Sequence, residues 1–464
     1  MNLGFIESRT FDEIELGDTA GTEHVLTTDD AMAFASISGF NSVLKPEEAI
    51  ARAGGIPPTG PNMWCASLVS GLFSMHIPGP GVTLTEISLS FHNRIRVGDR
   101  ILVKVQVTAK EETTKTLTFD CEAHNGKGVS IFTGTAQCIA PPTKLRWSTL
   151  PVPQLIVSNP YRRYSEMIAR ATSRPAVRTA IVWPCDEVSL GGALQAYHDK
   201  LVIPVLVGAE DKIRNLATTL EINLDGVRVV DTPDSRSAAA RGVELARKGE
   251  VEMLMKGSLH TDELMSAVVS REGGMRTGRR ISHVFALDVP MYHKTLFVTD
   301  AAINIQPDLD TKIDILQNAI DMMLKLEVVN PKVAILSAVE SVNPAIPSTL
   351  DAAALCKMVD RGQITGATVD GPLAFDNAIS SDAAKIKKIN SKVAGDVDLM
   401  MVPNLEAGNI LFKELQYLAG ALAAGVVVGA KVPIVLTSRA DGELARMASC
   451  ALGALLAKPA PPRE

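Results

Sequence analysis

The texture of the chain changes near residue 140, and that change constrains its fold more than any other feature. Between residues 81 and 139 apolar and polar residues alternate, as in Ile101-Leu102-Val103-Lys104-Val105-Gln106-Val107 and Lys115-Thr116-Leu117-Thr118-Phe119-Asp120-Cys121. A period of two sends one set of side chains to a core and the other to solvent, the pattern of a half-covered antiparallel sheet. Asn125-Gly126 lies between two such runs and predicts a hairpin turn there. A Pro-containing connector follows, from Ala140-Pro141-Pro142-Thr143-Lys144 to about Pro153. Beyond it, continuous apolar runs such as Thr179-Ala180-Ile181-Val182-Trp183 and Leu201 to Gly208 alternate with helix-like segments. Strands buried on both faces read this way, so βαβ units around a parallel sheet are expected. The expected division is a first domain at 1–142, a linker at 143–155 and a second domain at 156–464.

Composition removes several function classes. The net charge of -6 and scattered basic residues give no footprint for nucleic acid. Arg279-Arg280 and the Lys385, Lys387, Lys388 cluster read as solvated faces. Six cysteines show no short paired spacing, so neither a zinc site nor a disulfide framework is expected, and no metal site is assigned. The first residues, Met1-Asn2-Leu3-Gly4-Phe5-Ile6-Glu7, lack a basic segment followed by an apolar one, so no signal peptide is expected. The uncharged run from Leu415 to Ala430 is shorter than the roughly 20 residues of a membrane span. It reads as a buried helix. A cytoplasmic location without membrane partners is the resulting expectation.

The segment from Val402 to Asp441 carries the clearest chemistry. Val402-Pro403-Asn404-Leu405-Glu406-Ala407-Gly408-Asn409 and Pro433-Ile434-Val435-Leu436-Thr437-Ser438-Arg439-Ala440-Asp441 each set small and polar residues straight after an apolar run. A parallel strand delivers a ligand loop in this way at its carboxyl end. Ser438 and Arg439 put a hydroxyl beside a permanent cation, a pair suited to a phosphoryl or acyl-phosphate group. Upstream, Lys256-Gly257 ends an apolar run, which places an ammonium and free amides towards a crevice. His260 and Thr261 follow at an expected helix start, where amide donors favour an anion. Asn409 also reads as a cap for a helix beginning near Ile410. Asp300 and Glu406 read as loop-shaping hydrogen-bond partners, and His283 and His293 as structural residues.

Taken together, residues from about 156 to 464 resemble the phosphate acetyl/butyryltransferase family, on the phosphotransbutyrylase side. The resemblance rests on motifs in the family order: Pro184-Cys185-Asp186-Glu187-Val188, Leu254 to Asp262, Arg276 to Val284, Val298 to Pro307, Asp370 to Ala378, and the closing segment above. It implies an isocitrate/isopropylmalate-dehydrogenase-like α/β fold of two subdomains with a cleft. The first would run from about 156 to 295 and take back the carboxy-terminal helix; the second would cover about 296 to 434. It implies reversible acyl transfer between coenzyme A and phosphate, with both as substrates and no cofactor. Ser438 and Arg439 match the family's catalytic pair. Asn304 and Asn409 would donate to the acyl oxygen or phosphate, beside Lys256, Gly257, His260 and Thr261. The family's carboxylate after the motif serine is Ala445 here, so Asp441 or Glu443 stands as the nearest acid. Expected arginines are replaced by Val188 and Ser266, which leaves phosphate contacts to Arg276 or Arg279 and favours a longer acyl chain or an unusual substrate. A homo-oligomer is implied.

Residues 1 to about 140 resemble the MaoC-like dehydratases, an α+β hotdog family. The matching stretches are Thr27-Thr28-Asp29-Asp30, Phe34-Ala35, Glu47-Glu48, Gly60-Pro61-Asn62-Met63 with the helix after it, Phe91 to Asp99, and Phe132 to Ala136. Active relatives use an Asp and a His, one acid and one base, to add water to an enoyl-CoA. Here the segment reads Gly39-Phe40-Asn41-Ser42-Val43-Leu44-Lys45, and neither alignment restores that pair. Three readings stand: an acyltransferase with a hydratase-dead module, a bifunctional hydratase and acyltransferase, and a non-catalytic acyl-CoA-binding or scaffold protein.

Overall fold

The computed structural model describes residues 5–38, 62–148, 162–271, 273–436 and 442–457. The chain divides into two units, Met1–Val157 and Ser158–Glu464.

In the first unit the alternating runs become β2 (Thr19–Val25), β3 (Thr83–Phe91), β4 (Arg100–Glu111), β5 (Thr116–Asn125) and β6 (Ser130–Ile139). Among the described residues they form one antiparallel sheet in the order β2-β4-β5-β6-β3. Among the described residues this unit has two α-helices, α1 (Thr28–Ser38) and α2 (Asn62–Met75). The apolar side of α2, with Trp64, Val69, Leu72 and Phe73, packs into one core with Val103, Val105, Leu117 and Phe119 of the sheet. Phe73 meets Phe119 at a centroid distance of 4.9 Å. A sheet laid around one central helix is the hotdog arrangement. The β5–β6 turn falls where Asn125-Gly126 places it, but its left-handed residue is Gly128, at φ 78°. Asn125 turns its side chain inward to accept from Lys127 N and Val129 N, which builds a longer loop than a two-residue hairpin. Residues 146–148, expected within the linker, form β7 (Arg146–Ser148) and pair with β1 (Phe5–Glu7). Leu145 anchors this return by exchanging hydrogen bonds with Ser8.

The second unit contains α3 (Arg162–Thr172), β8 (Val177–Val182), α4 (Glu187–His198), β9 (Val202–Gly208), α5 (Glu210–Thr219), β10 (Arg228–Asp231), α6 (Ser235–Arg247), β11 (Met253–Lys256) and α7 (Thr261–Val269). It continues with β12 (Ser282–Asp288), β13 (Leu296–Thr299), α8 (Leu309–Lys325), β14 (Lys332–Leu336), α9 (Pro347–Asp360), β15 (Thr368–Leu373), α10 (Phe375–Ile379) and α11 (Ser381–Ile386). It closes with β16 (Leu399–Met401), α12 (Leu405–Tyr417), β17 (Leu422–Val428), β18 (Ile434–Val435) and α13 (Glu443–Leu456). Asp186, Asp234, Asp308 and Asn404 start α4, α6, α8 and α12 by accepting from an amide three residues on.

One sheet of eleven described strands, ordered β10-β9-β8-β11-β18-β17-β12-β13-β16-β14-β15, runs through this unit. The outer groups are parallel, whereas β17 and β12 make antiparallel pairs at its centre. Two sequence expectations are corrected here. The Leu415 to Ala430 run is not one helix: α12 stops at Tyr417, Gly420 turns at φ 64°, and Leu422–Val428 is a strand paired along β12. Its Ala-Gly-Val texture is that of a buried strand between two others. The return to the first half also comes earlier than residue 434, because β17 and β18 lie between β11 and β12. α13 then packs against α3, α4 and β17. Among the described residues no helix is long and apolar enough to cross a membrane.

Candidate active site

Two turns of the second unit gather the polar residues that the sequence singled out. The first follows β11. Lys256 is buried, and its ammonium donates to Gly257 O at 3.2 Å and Leu259 O at 3.1 Å. The cation therefore folds over its own loop. The amide of Gly257 is also engaged, donating to Val182 O at 2.8 Å. These bonds turn the ammonium onto its own loop and occupy the Gly257 amide, where the sequence suggested an ammonium and free amides towards a crevice. A Cβ at residue 257 would stand 2.5 Å from the carbonyl oxygens of Val182 and Trp183, so only glycine lets the ends of β8 and β11 meet. Ser258 completes the staple, with its amide and its hydroxyl both donating to Trp183 O at 2.9 Å. Sequence reasoning missed Ser258; its signal was a hydroxyl set directly after the close-approach glycine. His260 and Thr261 sit at the start of α7 as expected, both exposed. Glu263 reaches back to accept from His260 N at 3.2 Å.

The second turn follows β13. Asp300 is almost fully buried and accepts four N–H bonds: from Ala302 N and Ile303 N on Oδ1, and from Asn304 N and Asn304 Nδ2 on Oδ2. Burial pushes its carboxyl above the usual range, and these donors oppose that shift. Asn304 Nδ2 also donates to Ile281 O at 3.0 Å, which ties the turn to the start of β12. The amino end of α12 closes the corner. Leu405 N donates to Ile305 O at 3.1 Å, and Asn409 Nδ2 to Ala301 O at 3.4 Å. Asn409 is not a cap, because Asn404 holds that position and the helix already runs through residue 409. Gly408 allows the approach: a Cβ there would lie 2.6 Å from Val402 Cγ2 and 3.0 Å from Ala301 Cα. His283, on neighbouring β12, is buried, and burial pushes it down to about 3. It is a neutral core residue, as expected.

The two turns share one apolar floor. Leu259, Ile303 and Leu436 pack into the same cluster with Leu254, Ile281 and Ile434. Because β18 runs parallel to β11 with Val435 beside Met255, the chain leaves β18 at Leu436 next to the Lys256 turn. Ser438, Arg439 and Asp441, the expected catalytic residues, lie outside the described residues, and so do Gly39 to Lys45 and Pro61 of the first unit. The two arginines proposed for phosphate are placed differently from the asparagines. Arg276 is exposed and bridges through its backbone to Ala430. Arg279 is paired with Asp321 at 2.5 Å, in a separate groove of about 560 Å³ lined also by Thr277, Lys325 and Lys431. Among the described residues no cluster of His, Cys, Asp and Glu could hold a metal ion.

The family model described as Phosphate acetyl/butaryl transferase matches residues 235–454. Over 295 residues the chain is 57% identical to a phosphate acetyltransferase of Rhizobium meliloti, covering 64% of this chain and 93% of that protein. The chain belongs to the phosphate acetyl/butyryl transferase family. It is also 40% identical over 296 residues to a phosphate butyryltransferase of Clostridium acetobutylicum, across 64% of this chain and 98% of that one. A branched-chain phosphotransacylase from Enterococcus faecalis superposes with a TM-score of 0.54 at 30% identity, over 61% of this chain and all of that chain. Both turns lie inside the matched region. Identity is higher to the acetyl-named relative than to the butyryl-named one. The replacements at Val188, Ser266 and Ala445 therefore do not by themselves fix the acyl chain.

Proposed function

We propose that the second unit transfers an acyl group reversibly between coenzyme A and phosphate. The observation that carries this reading is the 57% identity spanning 93% of a relative named phosphate acetyltransferase. In the forward direction a phosphate oxygen attacks the thioester carbonyl carbon. The tetrahedral oxyanion collapses, the C–S bond breaks, and the thiolate leaves and takes a proton. Phosphate, acyl-CoA and acyl phosphate are the ligands, and neither a metal nor a further cofactor is needed for this sequence of bond changes. The site must hold a dianion, align sulfur with the acyl carbon and stabilise the oxyanion. Ser438 and Arg439 take the phosphoryl oxygens in this proposal, with the forked guanidinium supplying two parallel bonds. Asp441 is the nearest acid in sequence for the thiol proton. A thiol with a pKa of about 8.5 needs little assistance to ionise.

The finer fold reading belongs to the same proposal: two subdomains of the isocitrate/isopropylmalate-dehydrogenase type, joined by the shared sheet, with the ligand between them. The relatives' names span acetyl and butyryl groups, so short acyl chains are the substrates to try. The hotdog unit serves assembly into a homo-oligomer and has no hydratase chemistry, because its sequence lacks the Asp and His pair. A cytoplasmic location fits both roles.

The test measures CoA release from acetyl-, propionyl- and butyryl-CoA with and without phosphate, alongside hydration of crotonyl-CoA. Phosphate-dependent release that Arg439→Ala lowers by about 100-fold or more is expected. Release that ignores phosphate would sink the acyltransferase reading, and steady hydration of crotonyl-CoA would sink the reading of the first unit.

A further inference from the structure

The amide of Asn304 is oriented by its partners. Its Nδ2 carries two hydrogens, and both meet acceptors: Ile281 O at 3.0 Å and Asp300 Oδ2 at 2.6 Å. Neither partner can donate, since one is a carbonyl and the other an acceptor-only carboxylate, so the amide cannot be reversed without losing both bonds. The remaining atom, Oδ1, accepts no hydrogen bond among the described residues. Asn304 is only half-buried, so that oxygen is not sealed in the core. Asp300 cannot turn away either. Its other bonds go to three consecutive backbone amides, and it is 3% exposed. Sequence reasoning assigned Asn304 as a donor to the acyl oxygen or phosphate. The geometry leaves it the opposite capacity.

We propose that Asp300 is a positioning residue, which locks Asn304 so that its side-chain carbonyl faces the ligand and reads a hydrogen-bond donor on the pantetheine arm of coenzyme A. The proposal rests on the acyltransferase reading above. The donor is the thiol S–H or a pantetheine amide N–H. An acyl phosphate has no such N–H or S–H, and a phosphate dianion is mostly acceptor, so this corner serves the coenzyme. Asp300→Asn keeps the shape of the side chain but replaces one oxygen by NH2. The amides of Ala302 and Ile303 keep the remaining oxygen at the Oδ1 position, so the new NH2 takes the place of Oδ2 and confronts Asn304 N and Nδ2. The Asn304 side-chain amide turns over to accept from it, giving up its bond to Ile281 O. An NH2 then stands where the carbonyl stood, and the coenzyme donor meets a donor.

The experiment is steady-state kinetics on the full chain in both directions, with thermal unfolding of every variant. Wild-type protein that releases no CoA in response to phosphate would overturn the acyltransferase reading and this proposal with it. With wild type active, Asp300→Asn is expected to raise KM for the coenzyme substrate by roughly tenfold to a hundredfold, the loss of one hydrogen bond turned into repulsion. KM for phosphate and acyl phosphate should stay within about twofold. Asn304→Ala should show the same split. Adding Asp300→Asn to Asn304→Ala should then change kcat/KM by less than about twofold, because the first acts through the second. An effect on free CoA alone identifies the thiol as the donor; an effect on free CoA and acyl-CoA alike identifies a pantetheine amide. A full further loss from Asp300→Asn in the Asn304→Ala background would overturn the proposal, as would a loss carried by the phosphate KM. If Asp300→Asn does not fold, an unchanged coenzyme KM in Asn304→Ala is sufficient to reject it.

Discussion

The turn after β11 and the turn after β13 reach the same apolar floor, but they are held in opposite ways. At Lys256–His260 the backbone does the holding. Gly257 lies against two carbonyl oxygens, Ser258 staples the loop to Trp183, and the lysine caps carbonyls of its own loop. At Asp300–Asn304 a side chain does it, with one buried carboxylate gathering three backbone amides and one side-chain amide. A turn held by backbone approach tolerates no added atom, whereas a turn held by a carboxylate tolerates volume but not a change of polarity. The two turns should therefore fail differently when substituted, the first through stability and the second through ligand recognition.

The strongest test of this contrast is Gly257→Ala. One methyl group would have to sit 2.5 Å from two carbonyl oxygens that are themselves hydrogen-bonded. A loss of about 3 kcal/mol or more is expected in denaturant unfolding. A loss below about 1 kcal/mol would show that the β8 and β11 ends can part, and that the first turn is not fixed by its backbone.

The second effect in size concerns pH, and it probes the strand beside the second turn. Thr299 donates its hydroxyl to His283 O at 2.8 Å, and His283 itself is buried with no partner for Nδ1 among the described residues. Burial lowers the imidazole from an ordinary 6.5 to about 3. The unfolded chain thus binds a proton below pH 6.5 that the folded chain refuses. Stability is full above that value and is lost as pH falls towards about 3, by up to about 1.4 kcal/mol per pH unit for one proton. His283→Leu should flatten the slope of unfolding free energy between pH 4 and 6.5 by about that amount. An unchanged slope would mean that His283 is protonated in the fold and partnered.

Much of this site was legible in the sequence, and the illegible parts share a cause. The strand ends at Lys256 and Met401 followed from apolar runs that stop at polar residues, because a buried parallel strand must be apolar until it surfaces. The role of Asp300 in shaping its loop was also readable from a short acid set among small residues. The direction of an amide was not. Asn304 looks equally able to donate or accept until Ile281 O and Asp300 Oδ2 occupy its NH2, and Ile281 is distant in sequence. Asn409 was misplaced for the same reason, since Asn404 and Asn409 are both good caps, and in the fold it is Asn404 that accepts from Ala407 N while Gly408 packs on Ala301 within the helix. The Leu415 to Ala430 run failed through periodicity. A strand buried between β12 and β18 shows no alternation, and Ala and Gly suit both a helix and a crowded sheet.

Lys256→Met comes next. It removes an ammonium that satisfies Gly257 O and Leu259 O at a site 8% exposed, while keeping most of the apolar volume. Two carbonyls lose their donor, and a loss of about 1–3 kcal/mol in unfolding free energy is expected. A variant as stable as wild type would show that the backbone staple at Gly257 and Ser258 suffices to hold the turn.

The smallest effect marks where the first turn ends. Glu263 accepts from His260 N at 3.2 Å and from Ser235 Oγ at 3.1 Å, so it ties the start of α7 to α6. Its carboxylate also lies near the first amides of α7, where negative charge is favoured. Glu263→Ala should cost about 0.5–1 kcal/mol, the size of a lost helix-capping contact. Gln at this position keeps one acceptor oxygen for His260 N, while its NH2 can donate to Ser235 Oγ, and it should recover most of the loss unless charge rather than the bond is what matters. Hydrogen exchange at the amides of residues 260–264 separates the two cases. Faster exchange in the alanine variant alone points to the bond, and faster exchange in both points to the charge. If exchange instead quickens at 256–258, the helix start and the glycine staple unfold as one unit. The backbone-held turn would then extend into α7 rather than stop at Leu259.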